Sequence, residues 1–368
     1  MSVVSSDSPS RRKIVFLSGT RADFGKLKSL IRTLLQEPPQ FEVHIFATGM
    51  HMDPKYGYTV LEFEKCNFPN VYRYINSSAG STMDQALGTT ILGFGQYVRL
   101  IQPDLIVVHG DRCEALAGAI VGSLNNVLVA HVEGGIRSGD WTMPEEINRL
   151  VTDSITNWFF TTSEVANANL RKAGVADERI FFVGNTMIDT LLASMDRLRP
   201  PAFRDELGLQ PGGYFVLTLH RPANVDASGP FAKLLAAIAE GTRGLPVVFP
   251  VHPLTAKTLR EMDALPSSLR LVDPQPYLEF NWLVKHARAV ITDSGGITEE
   301  TTVMGVPCLT LRDTTERPET VSIGTNELIG TDPARLKPAL DRLFAGAWTK
   351  GAIPEKWDGR TAERIVAA

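Results

Sequence analysis

The feature that most constrains this chain is a repeated pattern, in which a short apolar run ends in a cluster of small or polar residues and a longer stretch with helical spacing follows. Runs that are apolar at successive positions are typical of strands buried on both faces, as in parallel sheets covered by helices. Segments 26–35 and 114–124 lie between such runs and complete β-α-β units. The runs form two series: 14–17, 43–47, 105–108, 127–130, 158–161 and 180–183, then 215–219, 247–250, 269–272, 289–292 and 308–311.

Two series of strands predict an α/β protein with two Rossmann-like, doubly wound parallel-sheet domains and a ligand-binding cleft between them. The length of 368 residues is right for two domains. We place the first domain at 13–199 and the second at 200–357. The join between them lies within 197–205, where Pro200 and Pro201 would end a helix. We expect the last helix, 358–368, to pack on the first domain, and the Ser-rich segment 1–12 to be a disordered leader.

Composition excludes several classes of partner. Lys and Arg number 37 against 41 Asp and Glu, so the net charge of −4 gives no general attraction to nucleic acid or to an anionic membrane. No apolar run approaches the length that spans a bilayer. The cysteines Cys66, Cys113 and Cys308 are far apart and form no CxxC pair, which favours a reducing cytoplasm.

The segment after the first strand, 19–26, superficially resembles a phosphate-binding loop. One residue too many separates its glycines, and Leu27 stands where a P-loop needs Ser or Thr to hold magnesium, which argues against a P-loop NTPase. Arg21 and the amides that open the next helix could bind an anion. A tight turn with a solvated Arg21 is the equally weighted alternative.

A second candidate site follows the strand at 289–292. Gly295 and Gly296 would let a ligand approach the backbone at the start of a helix, and Glu300 could reach ribose hydroxyls. A plain Gly-Gly turn capped by Ser294 is the alternative. Arg317 follows the next strand at the same sheet edge, where it would suit a diphosphate, although a charged run such as 312–319 is more often solvated surface.

Three histidines also fall at predicted strand ends: His109, His220 and His252. A single histidine there is more often a structural hydrogen-bonding residue, whereas three around one cleft favour ligand contact. No H-x-H or H-x-x-x-H pair is present, so we expect no metal site.

Carboxylates are the candidate catalysts. Asp111 ends one strand, Glu133 follows the next, and Glu145–Glu146 come shortly after. Clustered carboxylates perturb one another's pKa, so that one can hold a proton while another accepts one. On spacing alone, helix capping by Asp111 and salt bridges from Arg137 or Arg149 to the glutamates are equally good interpretations.

At these residues the chain resembles the UDP-N-acetylglucosamine 2-epimerases, over about 13–332. The matching motifs are GTR at 19–21, HGD at 109–111, HVEGGIRSGD at 131–140, PEEINR at 144–149, GNTMIDTL at 184–191, LHR at 219–221, PVHP at 250–253, TDSGGITEE at 292–300 and RDTTERPE at 312–319. The resemblance implies the two-Rossmann-domain architecture of GT-B glycosyltransferases, a homodimer and no cofactor.

The resemblance also implies the chemistry. UDP leaves the anomeric carbon as the proton on carbon 2 is removed, which gives a 2-acetamidoglucal, and UDP then adds back after protonation from the opposite face. By motif match the catalytic residues are Asp111, Glu133, Glu145 and His220. The implied substrate-binding residues are Arg21, Lys26, Arg149, His252, Phe280, Ser294, Gly295, Gly296, Glu300 and Arg317, with Phe280 stacking near uracil.

The sequence combines features of two branches of this family. Segments 21–28, 48–57 and 110–122 resemble the hydrolysing branch, in which water captures the intermediate and releases N-acetylmannosamine and UDP. Segment 136–149 and nearly all of the second domain resemble the non-hydrolysing branch, which we favour. Met50 and Met52 replace the Gln and Arg of an allosteric site in bacterial non-hydrolysing enzymes, which leaves that regulation open. A GT-B glycosyltransferase and a non-catalytic nucleotide-sugar sensor are the competing classes.

Overall fold

The computed structural model describes residues 11–36, 40–78, 80–225, 228–251, 253–262 and 264–368. Its contacts divide the chain into two units. The first unit runs to Thr190 and resumes at Glu355–Ala368, and the second comprises Leu191–Pro354. The boundary predicted at 197–205 lies just inside the second unit.

Strands and helices alternate along most of the described chain. The strands are β1 (Arg12–Ser18), β2 (Phe41–Ala47), β3 (Val71–Arg73), β4 (Leu105–His109), β5 (Leu128–Val132), β6 (Trp158–Thr161), β7 (Ile180–Phe182), β8 (Phe215–Thr218), β9 (Val247–Pro250), β10 (Leu269–Val272), β11 (Ala289–Thr292), β12 (Cys308–Thr310) and β13 (Asn326–Leu328). The helices are α1 (Arg21–Gln36), α2 (Leu61–Lys65), α3 (Met83–Ile101), α4 (Cys113–Leu124), α5 (Pro144–Ser154), α6 (Glu164–Lys172), α7 (Thr186–Leu192), α8 (Pro222–Val225), α9 (Ser228–Gly241), α10 (Pro253–Arg260), α11 (Tyr277–His286), α12 (Gly295–Met304), α13 (Pro318–Ser322), α14 (Leu336–Phe344) and α15 (Thr361–Ala367).

The described part of the first unit contains a parallel sheet of seven strands in the order β3-β2-β1-β4-β5-β6-β7. Successive residues of β1 enter different cores: Phe16 belongs to an apolar cluster on one face and Val15 to a cluster on the other. Both faces are therefore covered, as the uninterrupted apolar runs predict. The chain order reverses between β1 and β4, and ligands of such sheets bind outside the carboxyl ends of the strands at this point.

The second unit repeats this design with, in the residues described, six parallel strands in the order β10-β9-β8-β11-β12-β13. Phe215 and Val216 of β8 point into separate apolar clusters, so this sheet is also covered on both faces. Its chain order reverses between β8 and β11. The predicted fold class of two doubly wound parallel-sheet units is confirmed.

The end of the chain packs on the first unit. Trp357 is 1% exposed, and its indole Nε1 donates a hydrogen bond to the Thr162 carbonyl at 3.0 Å. The Asp189 carboxylate accepts hydrogen bonds from the amides of Thr361 and Ala362, at 3.1 and 2.7 Å, at the start of α15. No helix among the described residues has the length and apolar character needed to cross a membrane.

Candidate functional site

Four charged side chains alternate in sign beside the carboxyl ends of β1, β4 and β5. Lys26 Nζ lies 2.8 Å from Glu133 Oε1, and His109 Nε2 lies 3.3 Å from the same oxygen. His109 Nδ1 lies 3.7 Å from Asp23 Oδ1. Glu133, His109 and Asp23 are buried, and Lys26 is partly buried. The structure therefore brings Lys26 and Glu133, both predicted site residues, into direct contact.

The neighbours of His109 favour its charged form. Burial lowers the pKa of His109, but the charge of Glu133 and the contacts with Asp23 and Glu133 outweigh burial and raise it. Burial also raises the pKa of Asp23, whereas its close contact and charge interaction with His109 lower it overall. This cluster can hold the Asp23 carboxylate in the ionised, proton-accepting form in a place largely closed to water.

The backbone that carries Glu133 is strained. Glu133 has φ = +68°, which a non-glycine residue adopts only where the surrounding structure enforces it, and such residues concentrate at functional sites. Two residues later, Gly135 has φ = +81°, and a Cβ atom there would lie 2.4 Å from the Ala166 carbonyl oxygen. The HVEGG segment thus turns sharply after β5 and packs against α6, which directs Glu133 towards Lys26.

Asp111 lies at the end of β4, on the turn into α4, and its carboxylate contacts the Arg149 guanidinium. Arg149 is 3% exposed and also lies 2.9 Å from Glu146 Oε2. Burial opposes ionisation of Glu146, but the amides of Ser138 and Gly139 and the charge of Arg149 lower its pKa overall. Of the salt bridges considered for the glutamates as an alternative to catalysis, the one between Arg149 and Glu146 is present. Asp111, for which helix capping was the alternative, also pairs with Arg149, and the N-cap of α4 is Arg112.

Glu145 and Arg21 have different surroundings. Glu145 is half-buried in the first turn of α5, and its carboxylate has no hydrogen bond or ion pair to the described residues. Arg21 is exposed as the first residue of α1, at the end of β1.

Sequence reasoning did not assign Asp23 a role. Its carboxylate accepts a hydrogen bond from the Gly19 amide at 3.3 Å and so connects α1 back to the loop after β1. An acidic residue in the first turn of a helix that follows a strand is a recognisable sequence signal. His109 was noted as a strand-end histidine, but its position between two carboxylates depends on residues distant in sequence.

In the second unit, His220 and Asp293 meet at the ends of β8 and β11. His220 Nδ1 lies 2.9 Å from Asp293 Oδ1, and Asp293 also accepts hydrogen bonds from the amides of His220 and Arg221. Burial raises the pKa of Asp293, while His220 and these hydrogen bonds lower it overall. The His220 side chain is 44% exposed, so a fixed carboxylate orients an imidazole that remains accessible.

The start of α12 is built around two arginine–glutamate pairs. Arg317 Nε lies 2.8 Å from Glu299 Oε1, which fixes the plane of that guanidinium. Arg312 Nη2 lies 2.6 Å from Glu316 Oε2. A Cβ atom on Gly295 would lie 2.7 Å from Glu316 Oε1, so a side chain at this position would displace the Glu316 carboxylate from its place beside Arg312.

Of the remaining predicted residues of the second unit, Glu300 and Gly296 belong to α12, and Ser294 is its N-cap. Glu300 is buried and accepts a hydrogen bond from the Tyr277 hydroxyl at 2.9 Å. The Ser294 amide donates to Thr292 Oγ1 at 2.9 Å, and Gly296 lies in the first turn of α12. Phe280 is partly buried against a core cluster. His252 lies outside the described residues.

No metal-binding cluster is found among the described residues. Within residues 11–368, apart from the gaps given above, no three His, Cys, Asp or Glu side chains are grouped so that they could hold a metal ion. Most of the charged groups above, such as Lys26 with Glu133 and Arg317 with Glu299, are paired with one another.

Comparisons with known proteins agree with the two-unit fold. Residues 33–368 match the family model described as UDP-N-acetylglucosamine 2-epimerase. A UDP-N-acetylglucosamine 2-epimerase of Methanocaldococcus jannaschii is 37% identical over 96% of this chain and 98% of its own length. An Escherichia coli protein of the same name is 33% identical over 97% of this chain and 98% of its own length.

One solved structure and one further relative concern the ligand. A crystal structure of the M. jannaschii UDP-GlcNAc 2-epimerase in complex with UDP-GlcNAc and UDP superposes with a TM-score of 0.84 at 35% identity, over 96% of this chain and 98% of that one. A Pseudomonas aeruginosa protein that is 33% identical over 86% of this chain and 88% of its own is named UDP-2,3-diacetamido-2,3-dideoxy-D-glucuronate 2-epimerase.

Proposed function

The chain belongs to the UDP-N-acetylglucosamine 2-epimerase family, and we propose that it interconverts UDP-N-acetylglucosamine and UDP-N-acetylmannosamine without hydrolysing either. The observation that carries this proposal is the group of acidic side chains at the switch point of the first sheet. Glu133 lies against Lys26 and His109, and Asp111 follows the neighbouring strand β4. A reaction that removes a proton from a carbon atom and returns one to it requires acidic and basic side chains, whereas simple binding of a nucleotide sugar does not.

In the proposed reaction a carboxylate removes the proton from carbon 2 as the bond between carbon 1 and UDP breaks. The electrons of the C–H bond form the double bond of 2-acetamidoglucal, and UDP leaves with the electrons of the C–O bond. A proton then returns to carbon 2 from the opposite face while UDP adds back to carbon 1. We assign the proton transfers to Asp111, Glu133, Glu145 and His220.

We assign UDP binding mainly to the second unit. Arg317, fixed by Glu299, supplies charge for the diphosphate, and the amides of Gly295 and Gly296 open α12. Glu300 would bind ribose hydroxyls. Ser294, His252 and Phe280 complete this part of the site, with Phe280 near the uracil. From the first unit, Arg21, Lys26 and Arg149 are the proposed contacts of the diphosphate and sugar.

The non-hydrolysing outcome is supported by the second-domain motifs, which resemble that branch. The hydrolysing outcome is the second candidate because GDRCEALAGAIVG at 110–122 resembles the other branch. A GT-B glycosyltransferase is less well supported, since glycosyl transfer does not require a proton to be removed from carbon 2.

Product analysis separates these possibilities. The purified protein is incubated with UDP-N-acetylglucosamine, and nucleotides and free sugars are separated by chromatography. We expect UDP-N-acetylmannosamine to accumulate to a constant ratio with no stoichiometric release of UDP. Equal amounts of free UDP and N-acetylmannosamine would show the hydrolysing reaction. If the protein does not convert UDP-N-acetylglucosamine but does convert UDP-2,3-diacetamido-2,3-dideoxy-D-glucuronate, the latter is its substrate.

We also propose that the enzyme is a cytoplasmic homodimer. Leu92 and Leu100 of α3 and Leu124 of α4 are 68%, 76% and 78% exposed, and the two helices are neighbours in the first unit. Exposed leucines on adjacent helices would be covered in a dimer. The three cysteines are unpaired, which suits a reducing compartment. Light scattering during size-exclusion chromatography measures the oligomeric state.

A further inference from the structure

The turn that carries Asp111 is held by two side chains that have no assigned role. His131 Nε2 lies 2.8 Å from the Gly110 carbonyl oxygen, and Asn148 Nδ2 lies 2.9 Å from the Asp111 carbonyl oxygen. His131 is fully buried and Asn148 is 6% exposed. A carbonyl oxygen only accepts hydrogen bonds, so both nitrogens donate. Two consecutive peptide groups are therefore each fixed by a buried donor.

Other contacts fix these donors in turn. The second ring nitrogen of His131, Nδ1, lies 2.7 Å from Asp153 Oδ1. The other Asp153 oxygen lies 2.7 Å from Arg137 Nη1 and accepts a hydrogen bond from the Gly135 amide at 3.0 Å. Burial raises the pKa of Asp153, but His131 and Arg137 lower it overall, which keeps the carboxylate ionised. Asp153 and Asn148 both belong to α5.

The turn needs this support because of its backbone. Gly110 has φ = +70°, and its amide donates to the Val132 carbonyl at 3.1 Å, so the peptide plane between His109 and Gly110 is already held by β5. If either donor were removed, a carbonyl oxygen would be left without its buried partner, and the turn would relax to find another.

We propose that His131 and Asn148 are positioning residues of the epimerase reaction, because by holding the carbonyls of Gly110 and Asp111 they set the direction in which the Asp111 carboxylate points. This inference rests on the proposed function, in which Asp111 transfers a proton. Neither residue is proposed to touch the substrate. A displacement of a catalytic group by about 1 Å lowers a rate by about 100-fold.

Two substitutions of His131 separate this role from packing. In His131→Gln the side-chain amide takes the place of Nε2 and retains a donor to Gly110. In His131→Asn the amide takes the place of Nδ1 and retains the contact with Asp153. Both variants lose the ring, so a packing role affects them alike. We expect kcat for epimerisation to fall by about 100-fold in His131→Asn and by no more than about 10-fold in His131→Gln, with KM and the Kd for UDP within about threefold of wild type.

A second pair of variants tests Asn148. Asn148→Asp removes the donor to Asp111 with little change in volume. The matched control is Asn70→Asp, because Asn70 Nδ2 donates to the Val43 carbonyl at 3.0 Å in the same unit but away from this turn. We expect Asn148→Asp to lower kcat by about 100-fold at nearly constant KM, and Asn70→Asp to leave both close to wild type. If the His131 variants do not fold, the comparison of Asn148→Asp with Asn70→Asp tests the proposal, and equal kcat values in these two variants would contradict it.

Amide hydrogen exchange provides a readout that does not depend on turnover. The peptide covering 105–116 is expected to exchange faster in His131→Asn than in His131→Gln. Equal kcat and equal exchange in these two variants, together with an active wild type, would overturn the inference alone. An inactive wild type would instead contradict the proposed function, and the exchange rates would still show whether His131 holds the turn.

Discussion

Buried charges at this molecule's sheet edges are stabilised by specific partners at short distances. Arg312 and Glu316 are the clearest example, with side chains 5% and 15% exposed. Burial raises the pKa of Glu316, but the hydrogen bonds and charge of Arg312 lower it to about 2 from an ordinary value of 4.5. Removal of the cation from such a pair leaves an unpaired buried carboxylate, which strongly destabilises the folded state.

This pair makes a prediction about stability and pH. Because the folded-state pKa of Glu316 is below its unfolded-state value, the stabilisation is present above pH 4.5 and is lost as pH falls towards 2. We expect Arg312→Met to lower the free energy of unfolding at pH 7 by about 3 kcal/mol. The difference from wild type should shrink as pH falls below about 4.5.

Urea unfolding of Arg312→Met and wild type at pH 7, 5, 4 and 3 checks this prediction. Lys257→Met is a suitable control, because it also removes a cation from the second unit, and Lys257 is exposed and forms no ion pair with the described residues. A difference between Arg312→Met and wild type that is the same at every pH would show that the arginine acts through packing and not through the Glu316 charge.

At the scale of elements, apolar runs predicted every interior strand and the edge strands β7 and β10, and missed the other two edge strands. The run at 158–161 coincides with β6, and 289–292 coincides with β11. The strands β3 and β13 were missed, because Val71–Arg73 and Asn326–Leu328 are three residues long and each includes a charged residue, so neither forms an apolar run. Their pairing depends on the neighbouring strand, which local sequence does not report.

The return of the chain end to the first unit makes an element-scale prediction. Trp357→Ala removes a fully buried indole, so we expect a loss of about 3–5 kcal/mol in the stability of the first unit. Trp357→Phe loses the hydrogen bond to Thr162 and part of the volume and should cost less. Trp348→Ala is the matched control, because Trp348 Nε1 donates to the Thr325 carbonyl at 2.9 Å within the second unit.

Amide hydrogen exchange followed by mass spectrometry locates each effect. Trp357→Ala should increase exchange in peptides of 11–190, and Trp348→Ala in peptides of 191–354. Increased exchange in the second unit alone for Trp357→Ala would contradict the assignment of Glu355–Ala368 to the first unit.

At the scale of the whole molecule, the sequence predicted two doubly wound sheets because both series of apolar runs could be counted. Residues that follow strands, such as Asp111, Glu133 and Ser294, could be chosen because parallel strands bring their carboxyl ends to one edge. Their partners could not be chosen in this way. The contact of His109 with Asp23 joins residues 86 positions apart, and only the order of the strands in the sheet determines it.

The most direct test of the account is exchange of the carbon 2 proton of UDP-N-acetylglucosamine with solvent, followed by NMR in heavy water. Wild type should place deuterium at carbon 2 of both UDP-sugars. Asp111→Asn should abolish this exchange and leave the Kd for UDP within about threefold, because it removes a proton acceptor and no positive charge. Asp104→Asn, before β4 at its opposite end, is the matched control and should exchange at the wild-type rate. Absence of exchange in wild type, or exchange at the wild-type rate in Asp111→Asn, would contradict the account.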